Sequence, residues 1–343
     1  MEALEYAVND LWIGDRNIFD LAIGLAKSMR TIWKTHTLDT LMSLLLLCSR
    51  AMADSIPAQL PADVTMNKGA GRGSWLIVAL RLESGEELPF VVDTGSPITL
   101  LDKSLEPKLG KRLETMGFST PDRGEQESGV YPAPKLYLGG VLLATDRYTA
   151  TYPFKQLSTL SHQHIMGVLG MDCLRHYCVQ LDFQARRMRF LAPDHVNTAE
   201  VGKAFALMFS NRGQNFPPMF SGSGQNDSLP FIQHAGLLGG TSTNSQIDTG
   251  NNVDGAVEKG VIKGHYLTRF AHFLFKHRAV RLPQCVWDGE TYTKPKLRVE
   301  TGRNANRLGL RFLARHLVTF DFPEQTMYLK QTSIGPLSSE EKR

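Results

Sequence analysis

Two aspartates stand in the same local setting, Asp93-Thr94-Gly95 and Asp248-Thr249-Gly250, each directly after an apolar residue. Around the first, V-V-D-T-G-S-P-I-T-L over 91–100, a hydrophobic run breaks for three residues and then resumes. A carboxylate in such a run is costly to bury unless it is hydrogen-bonded or paired. Asp93 is therefore either a turn residue at a strand end or a group held in place for chemistry. A second carboxylate sharing the site would decide for chemistry. Two carboxylates brought close cannot both ionise, so one keeps a proton and can act as an acid while the other is a base. Such a pair titrates as a unit, and spacing alone does not separate the two roles.

The elements that must position these aspartates repeat along the chain. S-W-L-I-V-A-L-R-L-E-S-G-E-E-L-P-F-V-V-D-T-G (74–95) reads as strand, Ser-Gly turn, strand. P-F-I-Q-H-A-G-L-L-G-G-T-S-T-N-S-Q-I-D-T-G (230–250) reads the same way, with Gly-Gly at the turn. Trp75 stands 18 residues before Asp93 and Phe231 stands 17 before Asp248, so each hairpin delivers its aspartate at the end of its second strand.

The closing segments also match. Aligned on Gly170 and Gly309, both halves give a Leu-Arg segment and then an alternating strand, V-Q-L-D-F or V-T-F-D-F, a turn and a further strand. Asp182 and Asp321 fall at those turns and are expected to be turn residues rather than catalytic ones. Equal openings and equal closings are the mark of a duplication. The expected fold is all-β and bilobal, with one strand-rich lobe from each half.

With these motifs in hand, the chain resembles the aspartic proteases, and its closing repeats are similar to the bacterial branch described as retropepsin-like or aspartyl protease family proteins. The resemblance covers most of residues 74–331 and is carried by the two D-T-G turns and by Val168-Leu169-Gly170, with Arg307-Leu308-Gly309 as the poorer counterpart. It implies two β-barrel-like lobes with the active site between them, and an aspartic-type endopeptidase. Asp93 and Asp248 would jointly bind a water, one activating it while the other protonates the scissile carbonyl. By the same resemblance Thr94 and Thr249 would hydrogen-bond across the pseudo-twofold axis. Gly95 and Gly250 would let the backbone turn tightly against the carboxylates. Ser96 is expected to donate to Asp93. Asn251 occupies the equivalent place in the second half, where the family usually carries Ser, Thr or Ala.

A flap over the cleft is sought in E-S-G-V-Y-P-A-P-K-L-Y-L-G-G (127–140), with Tyr131 near its tip, or in V-W-D-G-E-T-Y-T-K-P-K-L (286–297), where Asp-Gly marks a hairpin. The implied partner is an extended polypeptide substrate bound through main-chain hydrogen bonds. No cofactor, metal or nucleic acid is called for, and a monomer suffices because one chain supplies both half-sites. The competing reading is an inactive exported peptide-binding or scaffold protein of the same fold. Asn251 favours it, as does the shorter second half: 61 residues separate Asp248 from Gly309, against 77 between Asp93 and Gly170.

Composition supports a globular chain of 343 residues, with 42% hydrophobic and 21% charged residues. A formal net charge of +4, without an Arg-rich or aromatic-basic repeat, is too mild to imply nucleic-acid binding. Four cysteines do not make a disulfide scaffold, and Cys173, Cys178 and Cys285 are expected to form no structural bridge. The histidines at 162, 164, 265, 272 and 277 lack partners at ligand spacing, and the aromatic-basic stretch 265–278 reads as core face plus solvated charge.

The domain layout follows. Residues 1–53 read as an export segment, with L-M-S-L-L-L-L-C (41–48) as its apolar core, A-M-A (51–53) as a cleavage site and Met29 as an alternative start. That segment implies a periplasmic or extracellular protein, or one tethered to the membrane if the segment is retained. Residues 54–73 are a lead-in, 74–205 the first lobe, 206–229 a Gly/Ser/Asn/Pro-rich linker, 230–332 the second lobe and 333–343 a charged tail.

Overall fold

A computed structural model describes residues 59–120, 124–192, 196–210, 229–239, 243–258, 279–300 and 306–338. The export segment and the stretch 265–278 lie outside the described residues, as does 211–228 of the linker. No helix among the described residues is long and apolar enough to cross a membrane.

The structure is built from strands. In the first half, Ile77–Leu82 and Glu87–Val92 pair antiparallel around a turn in which Gly85 takes φ +89°. Glu87–Val92 then runs parallel to Gly167–Leu169, which is antiparallel to Leu100–Asp102. The second half repeats the pattern. Leu229–Ile232 pairs with Ser245–Asp248, which runs parallel to Arg307–Gly309, itself antiparallel to Gly255–Glu258. In each half the strand leading into D-T-G is buried between neighbours, as its apolar run requires.

Gly170 and Gly309 follow from close backbone approach. A Cβ on Gly170 would collide with the carbonyl of Ile98, and one on Gly309 with that of Val253. Ile98 and Val253 hold the same place relative to their D-T-G turns, so both glycines do the same job. Each opens a one-turn helix, Met171–Leu174 or Leu310–Leu313.

The halves are joined by Cys178–Asp182 and His316–Asp321, the V-Q-L-D and V-T-F-D segments, which pair antiparallel. Their register is twofold about Gln180 and Thr319: Val179 faces Phe320, Leu181 faces Val318, and Gln180 Nε2 donates to Thr319 Oγ1 at 3.0 Å. Asp182 and Asp321 cap the turns that follow, accepting from the amides of Ala185 and Glu324 at 2.8 and 3.2 Å. The three described cysteines are free and buried.

Two boundaries differ from the sequence expectation. Lys203–Ser210 is one continuous strand, paired first with Thr326–Gln331 and then with Leu229–Ile232. It takes 206–210 out of the linker and places 203–205 beside Thr326–Gln331 in a sheet that also contains Cys178–Asp182 and Arg187–Leu191 of the first half. The reason is the alternation of Phe205, Leu207 and Phe209, which gives the strand one apolar face. Within the lead-in, Val64–Thr65 pairs with Met188 and Arg187.

Candidate active site

The two D-T-G turns meet. A Cβ on Gly95 would lie 2.5 Å from Asp248 Oδ1 and 3.0 Å from Asp93 Oδ1. A Cβ on Gly250 would collide with the Asp93 carboxyl group. Only a residue without a side chain lets each turn pass this close to the carboxylate of the other.

Beneath the aspartates the two threonines exchange hydrogen bonds. The Thr94 amide donates to Thr249 Oγ1 at 2.9 Å, and the Thr249 amide donates to Thr94 Oγ1 at 3.1 Å. Each hydroxyl in turn donates to a carbonyl of the opposite half, Thr94 to Ile247 at 2.9 Å and Thr249 to Val92 at 2.8 Å. Thr94 is 2% and Thr249 0% exposed, so these bonds are shielded from water and no donor is left unmade. A further tie comes from Trp75, whose indole Nε1 donates to the Gly250 carbonyl at 2.8 Å.

Asp93 Oδ1 accepts from the Gly95 amide at 2.7 Å and, across the interface, from the Gly250 amide at 3.1 Å. Asp248 is held by the amides of Gly250 and Asn251. Burial, and then the neighbouring Asp248 charge, push Asp93 up to about 7 against the pull of those two amides and of Arg307. Burial also raises Asp248, opposed first by Arg307. Both carboxylates gain affinity for a proton, which is the condition under which a close pair shares one.

The other expected site residues fall in different places. The Ser96 hydroxyl donates to the Ile98 carbonyl at 2.7 Å, so it braces its own turn instead of donating to Asp93. Its amide accordingly closes the turn on the Asp93 main-chain carbonyl at 3.2 Å. The Asn251 amide makes the matching bond to the Asp248 carbonyl, also at 3.2 Å. The Asn251 carboxamide is buried and makes no hydrogen bond among the described residues.

Tyr131 is not at a hairpin tip. The hairpin is Glu114–Thr120 with Gly124–Pro132, and Tyr131 lies at its far end, beyond the Glu114–Val130 pair. There it is buried against Thr149 of the neighbouring strand, with its hydroxyl toward Glu106. The 127–140 segment cannot close on itself, because Gly124–Pro132 pairs with Tyr148–Tyr152 while Leu136–Leu138 pairs with Ile77–Leu82 and Val141–Leu142. The second hairpin does form, Gln284–Trp287 with Glu290–Thr293, turning on Asp288 and Gly289 at φ +53° and +81°. Its Trp287 and Tyr292 rings pack on Phe312, at 5.0 and 5.1 Å between centroids, which anchors it in the core.

Sequence reasoning missed three polar residues beside Asp248. Arg307 Nε lies 3.6 Å from Asp248 Oδ2 and donates to Gln246 Oε1 at 3.2 Å. Arg307 Nη1 is clamped by both oxygens of Glu300, at 2.7 and 2.6 Å. The signal lay in the duplication itself. Aligned on the turns and closing glycines, Arg307 replaces Val168 and Gln246 replaces Val91.

No protein-family model matches the chain, and no curated protein does. Among solved structures it is similar to one described as the crystal structure of basic 7S globulin from soybean, at 12% identity and a TM-score of 0.46. That match covers 80% of this chain and 96% of the other. At that distance the likeness says nothing about chemistry.

Proposed function

We propose that the chain is an aspartic-type endopeptidase in which Asp93 and Asp248 together activate a water against a peptide bond. The observation that carries this reading is the meeting of two carboxylates, delivered by equivalent turns of a duplicated fold and locked by the threonine exchange. One carboxylate accepts a proton from the water while the other gives its proton to the carbonyl oxygen, and the roles reverse as the tetrahedral adduct collapses to amine and acid. The backbone amides on both carboxylates fix their orientation before substrate arrives, so no reorganisation is needed during the reaction. An extended polypeptide lying between the lobes fits a site built from two half-sites, and export to the periplasm or exterior is part of the same proposal.

A second reading keeps the fold and the peptide but not the cleavage, and the buried, unbonded Asn251 carboxamide in the second D-T-G turn favours it. Casein cleavage across pH 3–8 separates the two, using the wild type and the Asp93→Asn and Asp248→Asn variants. The endopeptidase reading expects each substitution to lower the rate at least about a hundredfold, the usual scale of a lost general acid or base. Peptide binding by a folded wild type that cuts nothing at any pH would establish the binding protein instead.

A further inference from the structure

The aspartate pair sits in symmetric turns but asymmetric surroundings. Backbone amides act on both carboxylates: those of Gly95 and Gly250 donate to Asp93, and those of Gly250 and Asn251 lower the proton affinity of Asp248. The side chains beyond the turns differ. Beside Asp93, Val91 and Val168 belong to an apolar cluster with Ile77, Phe154 and Ile165. At the same positions beside Asp248 stand Gln246 and Arg307.

We propose that Arg307, seated by Glu300 and Gln246, is a positioning residue that fixes the negative charge of the pair on Asp248 and leaves the shared proton on Asp93. The guanidinium is not free to swing away. Glu300 clamps Nη1 with both oxygens and Gln246 takes the hydrogen bond from Nε, which seats the guanidinium in charge contact with Asp248, its Nε 3.6 Å from Oδ2. Register fixes the arrangement: Gln246 is the pairing partner of Arg307 and lies on the same strand face as Asp248, two residues on. The groups facing the guanidinium are Asp248 and Gln246 from one strand and Glu300 from another, with Asp93 across the pair and uncharged Ala256 opposite on the third strand. Arg307 stands directly after burial among the influences on Asp248, whereas it comes last among those on Asp93.

Resting on the endopeptidase reading, the inference gives each aspartate one role. Asp248, ionised, takes the proton of the attacking water. Asp93 gives its proton to the carbonyl oxygen, and both are restored when Asp248 protonates the departing nitrogen and Asp93 recovers a proton from the adduct hydroxyl. Glu300 has a double effect: it holds the guanidinium in place and, as a second anion, weakens its pull on Asp248.

The test is a direct titration in the full-length protein labelled with 13C at the aspartate carboxyl carbons. In an Asp93→Asn background, the resonance removed by a further Asp248→Asn substitution belongs to Asp248. Adding Arg307→Val, the residue of the first half, is expected to raise the Asp248 midpoint by about one pH unit or more, a tenfold change in proton affinity. Adding Glu300→Gln instead is expected to lower it, and Arg307→Lys to leave it between Val and wild type. Unchanged midpoints in both Arg307→Val and Glu300→Gln would overturn the assignment, and so would a fall in the Val variant. Should Arg307→Val fail to fold, Arg307→Gln, which removes the charge and keeps a polar side chain, decides the sign. The acid limb of casein cleavage gives an independent reading, expected to move to higher pH in Arg307→Val. A protein that cleaves nothing yet shows the midpoint shifts would end the endopeptidase reading and leave the charge assignment standing. Cleavage without the shifts would do the reverse.

Discussion

Thr94 and Thr249, 155 positions apart in the chain, each donate a backbone amide to the hydroxyl of the other. Each hydroxyl passes its proton on to a carbonyl of the opposite half, so four hydrogen bonds close a buried ring beneath the aspartates. Removing either hydroxyl strands a buried amide and a buried carbonyl at once. Thr94→Val and Thr249→Val are each expected to cost about 2 kcal/mol or more, at about 1–3 kcal/mol per unsatisfied group. Because both act on one network, the double variant is expected to lose less than the sum. Urea unfolding of the four proteins measures the cycle, and additive losses would mean that the two turns are stabilised separately.

Asp172 gives a pH dependence with a definite sign. It is 1% exposed, and burial pushes it up to about 7, opposed first by the hydrogen bond from Thr99 Oγ1 at 2.7 Å. Its folded-state value lies above the unfolded one, so the folded protein holds the extra proton between about 4 and 7. Stability contributed there is present at low pH and lost as pH rises through that window. Asp172→Asn removes the loss. Its stability relative to wild type is expected to improve by more than about 1 kcal/mol from pH 4.5 to pH 8, since a tenfold difference in proton affinity between folded and unfolded chains is worth about 1.4 kcal/mol. Thermal unfolding at several pH values shows this, and parallel curves for the two proteins would refute it.

His316 has the opposite sign. Burial lowers it to about 4, although its Nδ1 lies 2.9 Å from the Phe312 carbonyl and its Nε2 2.9 Å from the Tyr292 hydroxyl. Below its unfolded value of about 6.5 the unfolded chain binds a proton that the folded protein refuses. Its contribution is therefore complete above that value and lost as pH falls toward 4. His316→Gln is expected to flatten the acid side of the stability profile while lowering stability at pH 7. An acid limb as steep as that of the wild type would show that other groups control it.

Arg315 and Asp254 are both fully buried and paired at 2.6 Å, and the guanidinium also donates to the carbonyls of Thr293 and Ile334 at 2.9 and 2.7 Å. This links the second lobe to the hairpin and to the chain after the last strand. Arg315→Met leaves an uncompensated carboxylate, with Arg311 Nε at 3.4 Å as a partial substitute. The expected cost is about 3–5 kcal/mol. Adding Asp254→Asn should return part of it, because the stranded charge is then gone. A double variant no more stable than Arg315→Met would place the loss in the broken carbonyl bonds.

How much the sequence reveals depends on how local the cause is. Strand alternation, turn chemistry and the two D-T-G settings are set by neighbours within a few residues, so the duplicated hairpins and the turn roles of Asp182 and Asp321 can be read directly. Gly170 and Gly309 are visible as repeats, although their reason, the carbonyls of Ile98 and Val253, is not. At 203–210 the composition changes in the middle of a strand, and the Phe205, Leu207, Phe209 alternation that crosses the change is the better guide.

By itself the sequence determined that two equivalent strand ends each present an aspartate, a threonine and a glycine, because apolar period and turn residues act over a few positions. Tertiary structure alone decided what each of these groups meets. It set Thr94 on Thr249, packed Tyr131 at the base of its hairpin and put Arg307 beside Asp248. Those outcomes depend on the register of strands far apart in the chain. A slip of one residue would send every such side chain to the opposite face.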